Sequence, residues 1–139
     1  MSAVPLLSLP VVLFRHAGQN FAFEAQYVSR QGVGDDLQHL PLINYADLFT
    51  PNLQAAATAV QWLELRGSLA RRWRLGLQAP AELIELPVDC IYALPALLQT
   101  RQQFSALRAL ALYQNELIAL LDVSALQRLA DKLVLEVTS

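Results

Sequence analysis

The stretch Leu117-Ile118-Ala119-Leu120-Leu121-Asp122-Val123-Ser124-Ala125-Leu126 decides how the rest of the chain is read. Its apolar run is short enough for a buried strand, it ends on an acid, and an amphipathic segment follows at once. Asp122 can accept backbone N–H groups of a first helical turn, so the stretch predicts strand, N-cap and helix. A looser copy stands in Leu42-Ile43-Asn44-Tyr45-Ala46-Asp47-Leu48-Phe49. There Asn44 sits at the cap position, and Asp47 stands three residues on, where a capping-box acid reaches back. Two such units in 139 residues suggest a fold made of two related halves. Neither contains a nucleophile, a metal cluster or a phosphate loop, so the pattern points to a scaffold.

The surrounding composition narrows the class. With 55% apolar and 16% charged residues, the chain can bury a substantial core and has apolar surface left for a partner. A formal charge of −2 argues against the basic footprint that nucleic acid requires. The single cysteine, Cys90, excludes an intramolecular disulfide and a multi-thiolate metal site, and suits a reducing compartment. The apolar start, Met1 to Phe14, lacks a basic leading region, carries Pro5 and Pro10, and runs into Arg15-His16 instead of a small-residue cleavage site. No apolar run is long enough to span a bilayer. A soluble cytoplasmic protein is expected.

Strands joined by short turns fill most of the chain. Val11–Arg15 and Phe21–Val28 flank turn residues His16 to Asn20, where Gly18 and Asn20 can take positive φ. On the second of these strands Phe21, Phe23, Ala25 and Tyr27 alternate with Ala22, Glu24, Gln26 and Val28. Residues 31–36 read as a loop, Leu40–Ile43 as a strand and Tyr45–Phe49 as a short helix, while 53–60 fits helix or linker. Gln61–Arg66 and Trp73–Leu77 form a second expected hairpin across Gly67-Ser68. Leu83–Leu86 and Cys90–Leu94 are extended candidates, and Leu107–Tyr113 with Glu116–Leu121 make a third hairpin across Gln114-Asn115. A helix from about Val123 to Leu133 closes the chain. The expectation is a mainly β protein of barrel type.

This order of elements resembles the CheW family, the adaptor domains of bacterial chemotaxis arrays. The opening strand and its return are similar to Val12-Leu13-Phe14-Arg15 and Phe21-Ala22-Phe23-Glu24 followed by Val28. Leu40-Pro41-Leu42-Ile43-Asn44-Tyr45-Ala46-Asp47-Leu48, Leu75-Gly76-Leu77-Gln78-Ala79 and Ala93-Leu94-Pro95-Ala96-Leu97-Leu98 resemble the family's next three motifs in order. Gln114 to Leu126 resembles its last, "dgelvhLLDhxxL", most closely. The chain departs from the pattern by lacking a "GhhNLRG" segment, by Asn44 in place of Asp, and by Pro80 in place of Asp. The resemblance is thus to a shortened, divergent member. It implies one domain over 1–139 built from two interlocked Src-homology-3-like β-barrel lobes with short helices. It also implies a non-enzymatic adaptor that couples a chemoreceptor to a CheA-type histidine kinase, with no cofactor and no metal. Carried over by motif, Val28 falls where the family lines its receptor groove, with Gln26 and Arg30 beside it and Leu42 and Asn44 on the altered first-half motif.

Other readings of single residues are plainer. His16 and His39 are isolated and read as turn or surface histidines. Cys90 reads as a buried, inert thiol. Asp35-Asp36 lacks calcium-loop spacing and reads as a solvated turn. Arg71, Arg72 and Arg74 with Trp62 and Trp73 suggest either a stacking, phosphate-binding patch or a hairpin whose arginines alternate outward from Trp73, Leu75 and Leu77. The serines lie in no nucleophile elbow, and the paired acids have no reason for a raised pKa. Two rivals to chemotaxis coupling stay open: a self-associating or other-partner module on a degenerate CheW fold, and a nucleic-acid binder working through those arginines and tryptophans.

Overall fold

Two hairpins with two-residue loops set the register of the larger sheet. In the computed structural model, which describes residues 7–33, 42–44, 61–67, 72–94 and 106–138, β1 (Ser8–His16) turns into β2 (Gln19–Glu24) through Ala17 and Gly18. Both loop residues have positive φ, as do Gln114 and Asn115 between β9 (Leu107–Tyr113) and β10 (Glu116–Leu121). That backbone twist matches the right-handed twist of paired strands. The expected turn around Gly18 is present, but Ala17, not Asn20, takes the second positive φ; Asn20 lies within β2.

The remaining elements are β3 (Val28–Gly32), β4 (Leu42–Asn44), β5 (Gln61–Arg66), β6 (Arg72–Leu77), β7 (Glu82–Pro87), β8 (Ile91–Ala93) and the helix α1 (Val123–Thr138). They form a six-stranded sheet in the order β7-β1-β2-β10-β9-β8 and a four-stranded sheet in the order β3-β5-β6-β4. Pairing is antiparallel except for β10 with β2 and β4 with β6. The strand expected over 21–28 breaks after Glu24, because a 3-10 turn at Ala25–Tyr27 carries the chain into the other sheet. The loop expected at 31–36 begins later, since Gln31 and Gly32 pair with Leu63 and Trp62. The expected helix at 45–49 and the undecided segment 53–60 lie outside the described residues.

One connection forces the larger sheet to curl. β7 and β8 are its opposite edges, yet only the 3-10 turn Val88–Cys90 joins them. Such a link reaches about 14 Å at most, whereas six flat strands put their edges about 24 Å apart. The sheet therefore rolls until its edges approach. Cys90 sits half-buried in that turn, not buried in a strand. The two halves repeat a plan: β8-β9-β10-β2 and β3-β5-β6-β4 each run edge strand after a 3-10 turn, hairpin, then parallel partner. The first of the two cap motifs, from Tyr45 on, lies outside the described residues.

Curling creates two cores. Inside the roll, Val11, Ala22, Leu86, Ala111, Ile118 and Leu120 pack together. On its other face Val12, Phe14, Phe21 and Phe23 meet Leu63, Leu65, Trp73, Leu75 and Leu77 of the second sheet, with Val123, Leu126 and Ala130 of α1. Each such large side chain contributes about 1.5–3 kcal/mol on leaving water. The alternation read along β2 is correct, but Phe21, Ala22 and Phe23 are all buried because both faces of that strand are covered. Helix α1 starts as its sequence indicates: the Ser124 N–H donates to Asp122 Oδ1 at 2.9 Å and the Leu126 N–H to the Asp122 carbonyl at 3.0 Å. No helix among the described residues is long and apolar enough to cross a membrane. The architecture is mainly β, as expected.

Candidate functional site

A β-bulge builds the first candidate surface. Val28 faces Leu65 and Arg30 faces Glu64, so β3 spends one residue more than β5 at this point. The extra residue lets Ser29 and Arg30 address the same carboxylate. Ser29 Oγ donates to Glu64 Oε2, and Arg30 donates to Glu64 Oε1 from Nε at 3.1 Å and from Nη2 at 2.9 Å. Arg72 Nη1 stands 3.9 Å from Glu64 Oε2. Glu64 is 1% exposed, and first the Ser29 hydroxyl, then the Arg30 and Arg72 guanidiniums, hold its pKa below the ordinary value despite burial.

Beside this acid, Trp62 is enclosed by two guanidiniums. The Arg30 and Arg74 guanidinium carbons lie 5.4 and 5.5 Å from the centre of the indole, within cation–π range. Gly32, opposite Trp62 on β3, leaves room for the ring: a Cβ there would lie 2.5 Å from Trp62 Cζ2. Trp73 instead packs into the core between the two sheets. The two tryptophans thus occupy opposite faces of one sheet and form no common stacking platform. The arginines of β6 do alternate with Trp73, Leu75 and Leu77, although Arg74 is itself buried. Arg71 and Asp35-Asp36 lie outside the described residues, as does His39. His16 is half-buried at the end of β1, and its burial lowers its pKa.

The five residues singled out from the sequence do not make one patch. Arg30 belongs to the Glu64 cluster. Leu42 and Asn44 pair in register with Arg74 and Gly76 on the same sheet. Val28 is half-buried against the core between the two sheets, the plain packing role. Gln26 is exposed on the 3-10 turn, and its Nε2 donates to Glu24 Oε1 at 3.0 Å.

A second surface was not singled out from the sequence. On the six-stranded sheet, Leu112 pairs with Leu117, and Leu110 lies between Tyr92 and Ala119. Ala119 still touches the core between the two sheets, but beyond it the face is uncovered: Tyr92, Leu112 and Leu117 are 58%, 51% and 60% exposed. A groove of about 420 Å³ runs here, floored by Leu110, Leu117 and Ala119 and rimmed by Arg15, Asn20 and Glu116. Asn20 Nδ2 donates to Glu116 Oε2 at 3.1 Å across that rim. An aliphatic stripe with a polar rim has the anatomy of a protein interface. The signal in the sequence was a pair of continuously apolar runs, Ala109–Leu112 and Leu117–Leu121, and such runs do not say which of two apolar faces stays open.

No family model and no curated protein matches the sequence. Among solved structures the chain is similar to the scaffolding protein TtCheW from Thermoanaerobacter tengcongensis, with a TM-score of 0.61 and 12% identity over 84% of this chain and 90% of that one. At that identity the likeness concerns the fold, and the fold of this chain is CheW-like.

Proposed function

We propose that this chain is a non-enzymatic, cytoplasmic adaptor of chemotaxis-type two-component signalling. It holds a chemoreceptor and a CheA-type histidine kinase in a fixed geometry, as one domain of two lobes. The uncovered stripe of Tyr92, Leu112 and Leu117, with half-buried Leu110 among them, on a CheW-like fold carries this reading. Apolar side chains left in water on a paired sheet supply contact area without the cost of ordering a loop, which is what a scaffold needs. Arg30 on β3 and Leu42 and Asn44 on β4, at the two edges of the other sheet, are further contact positions in this reading, with Gln26 and Val28 at the crossing between sheets.

The test is co-purification and size-exclusion chromatography with the same organism's receptor signalling domain and CheA-type kinase. A complex with either, lost in a Leu112→Glu, Leu117→Glu double variant, is expected; failure to bind both rejects the reading. The same stripe favours a second reading, self-association. Light scattering separates the two, since only self-association gives a concentration-dependent mass for the chain alone.

A further inference from the structure

The seam where the curled sheet closes holds a cavity of about 350 Å³, on a different part of the molecule from the docking stripe. Leu9, Phe23, Ile91, Ala109 and Leu120 line its body, and Ser8, Glu24 and Arg108 stand at its mouth. This size lies at the lower end of small-ligand pockets, and it accommodates roughly ten water-sized groups of about 30 Å³ each. The chemistry of the mouth is lopsided. Glu24 already accepts from Gln26 at one oxygen and from Arg108 at the other. Arg108, 64% exposed, makes among the described residues a single side-chain contact, at 3.4 Å, and carries five N–H donors.

The backbone aims this arginine. Leu120 pairs with Ala109 and Leu121 with Leu107, so Arg108 is the extra residue of a bulge in β9. Bulges re-aim side chains at sheet rims, and here the bulged residue is the cation at the mouth. An apolar body under a cation with spare donors is complementary to an anion with a hydrocarbon tail.

We propose that this cavity binds a small amphipathic monoanion, a straight-chain carboxylate of about eight carbons, its tail among Phe23, Ile91, Ala109 and Leu120 and its head on Arg108. Titration of the isotopically labelled chain with octanoate, followed by amide chemical shifts, tests it. Saturable shifts confined to residues around the cavity are expected, with a Kd of about 1 mM or tighter. Octylamine and octanol should bind about tenfold more weakly, and Arg108→Gln should weaken octanoate about tenfold, the loss of one charge-assisted pair. Glu24→Gln should bind octanoate at least as tightly, because it removes the competing carboxylate. Ala109→Trp, which fills the cavity, should abolish the shifts; if it does not fold, Arg108→Gln and the octylamine comparison decide alone. Absence of saturation, octylamine binding as well as octanoate, or an Arg108→Gln variant that binds unchanged overturns the proposal.

Discussion

Glu64 is the residue on which the four-stranded sheet's polar face depends. A carboxylate 1% exposed is stable only with partners, and Ser29, Arg30 and Arg72 supply them. Its folded pKa lies below the ordinary 4.5, so its contribution is complete above that value and is lost as pH falls through the lower, folded one. Glu64→Gln should therefore cost stability at pH 7, with the deficit shrinking below about pH 4.5. Because Arg30 and Arg72 are about half exposed, the cost at pH 7 should be about 1–2 kcal/mol, less than for a fully buried pair. Urea denaturation of both proteins from pH 3 to 7 checks this; parallel curves would remove Glu64 from the account. Gly32 is the second such residue. Gly32→Ala must displace the Trp62 indole, and should cost about 1–3 kcal/mol and alter Trp fluorescence in the folded state. Neither role was legible in the sequence, where Glu64 is one acid in Leu63-Glu64-Leu65 and Gly32 one glycine of a loop-like run.

At the scale of the element, turns and caps were the most readable features. Asp122 acts as the N-cap that its position before Val123-Ser124-Ala125-Leu126 implied. Asp122→Ala should cost about 1 kcal/mol, measured by thermal or urea unfolding, while Asp122→Asn should cost far less because Asn also caps well. The β1–β2 loop carries the opposite opportunity. Ala17 holds a left-handed φ of 52°, where a Cβ is unfavourable, and Gly18 follows at 78°. Ala17→Asn creates the Asn-Gly pair that type I′ turns prefer and should stabilise by about 0.5–1 kcal/mol. No change in midpoint would mean that the loop does not hold this conformation in solution. The break in the strand after Glu24 escaped the sequence reading for a physical reason. Alternation continues through Ala25, Gln26 and Tyr27, and only the second sheet, waiting to accept Val28, bends the chain there.

For the whole molecule, the decisive feature is that one sheet face serves two purposes. Near β1 and β2 it packs against the second sheet, and at β8, β9 and β10 it stands in water. Replacing Leu112 and Leu117 by Glu should leave the unfolding midpoint within about 0.5 kcal/mol of the parent, as expected for exposed positions. The same double variant should lose partner capture or self-association. A large loss of stability instead would show that the stripe is packed within the chain.

The sequence by itself determined the mainly β class, the three hairpins, the capped C-terminal helix and the alternation along β2 and β6, because these follow from the chemistry of neighbouring residues. It also carried, through the order of its motifs, the resemblance to a CheW-like fold. The tertiary structure alone decided that the larger sheet rolls up, since that follows from which edges Val88–Cys90 must join. It likewise decided that Arg30 serves Glu64, that the tryptophans part company, and that Tyr92, Leu112 and Leu117 remain uncovered. Burial is a property of what lies opposite a side chain, and what lies opposite comes from residues far away along the chain.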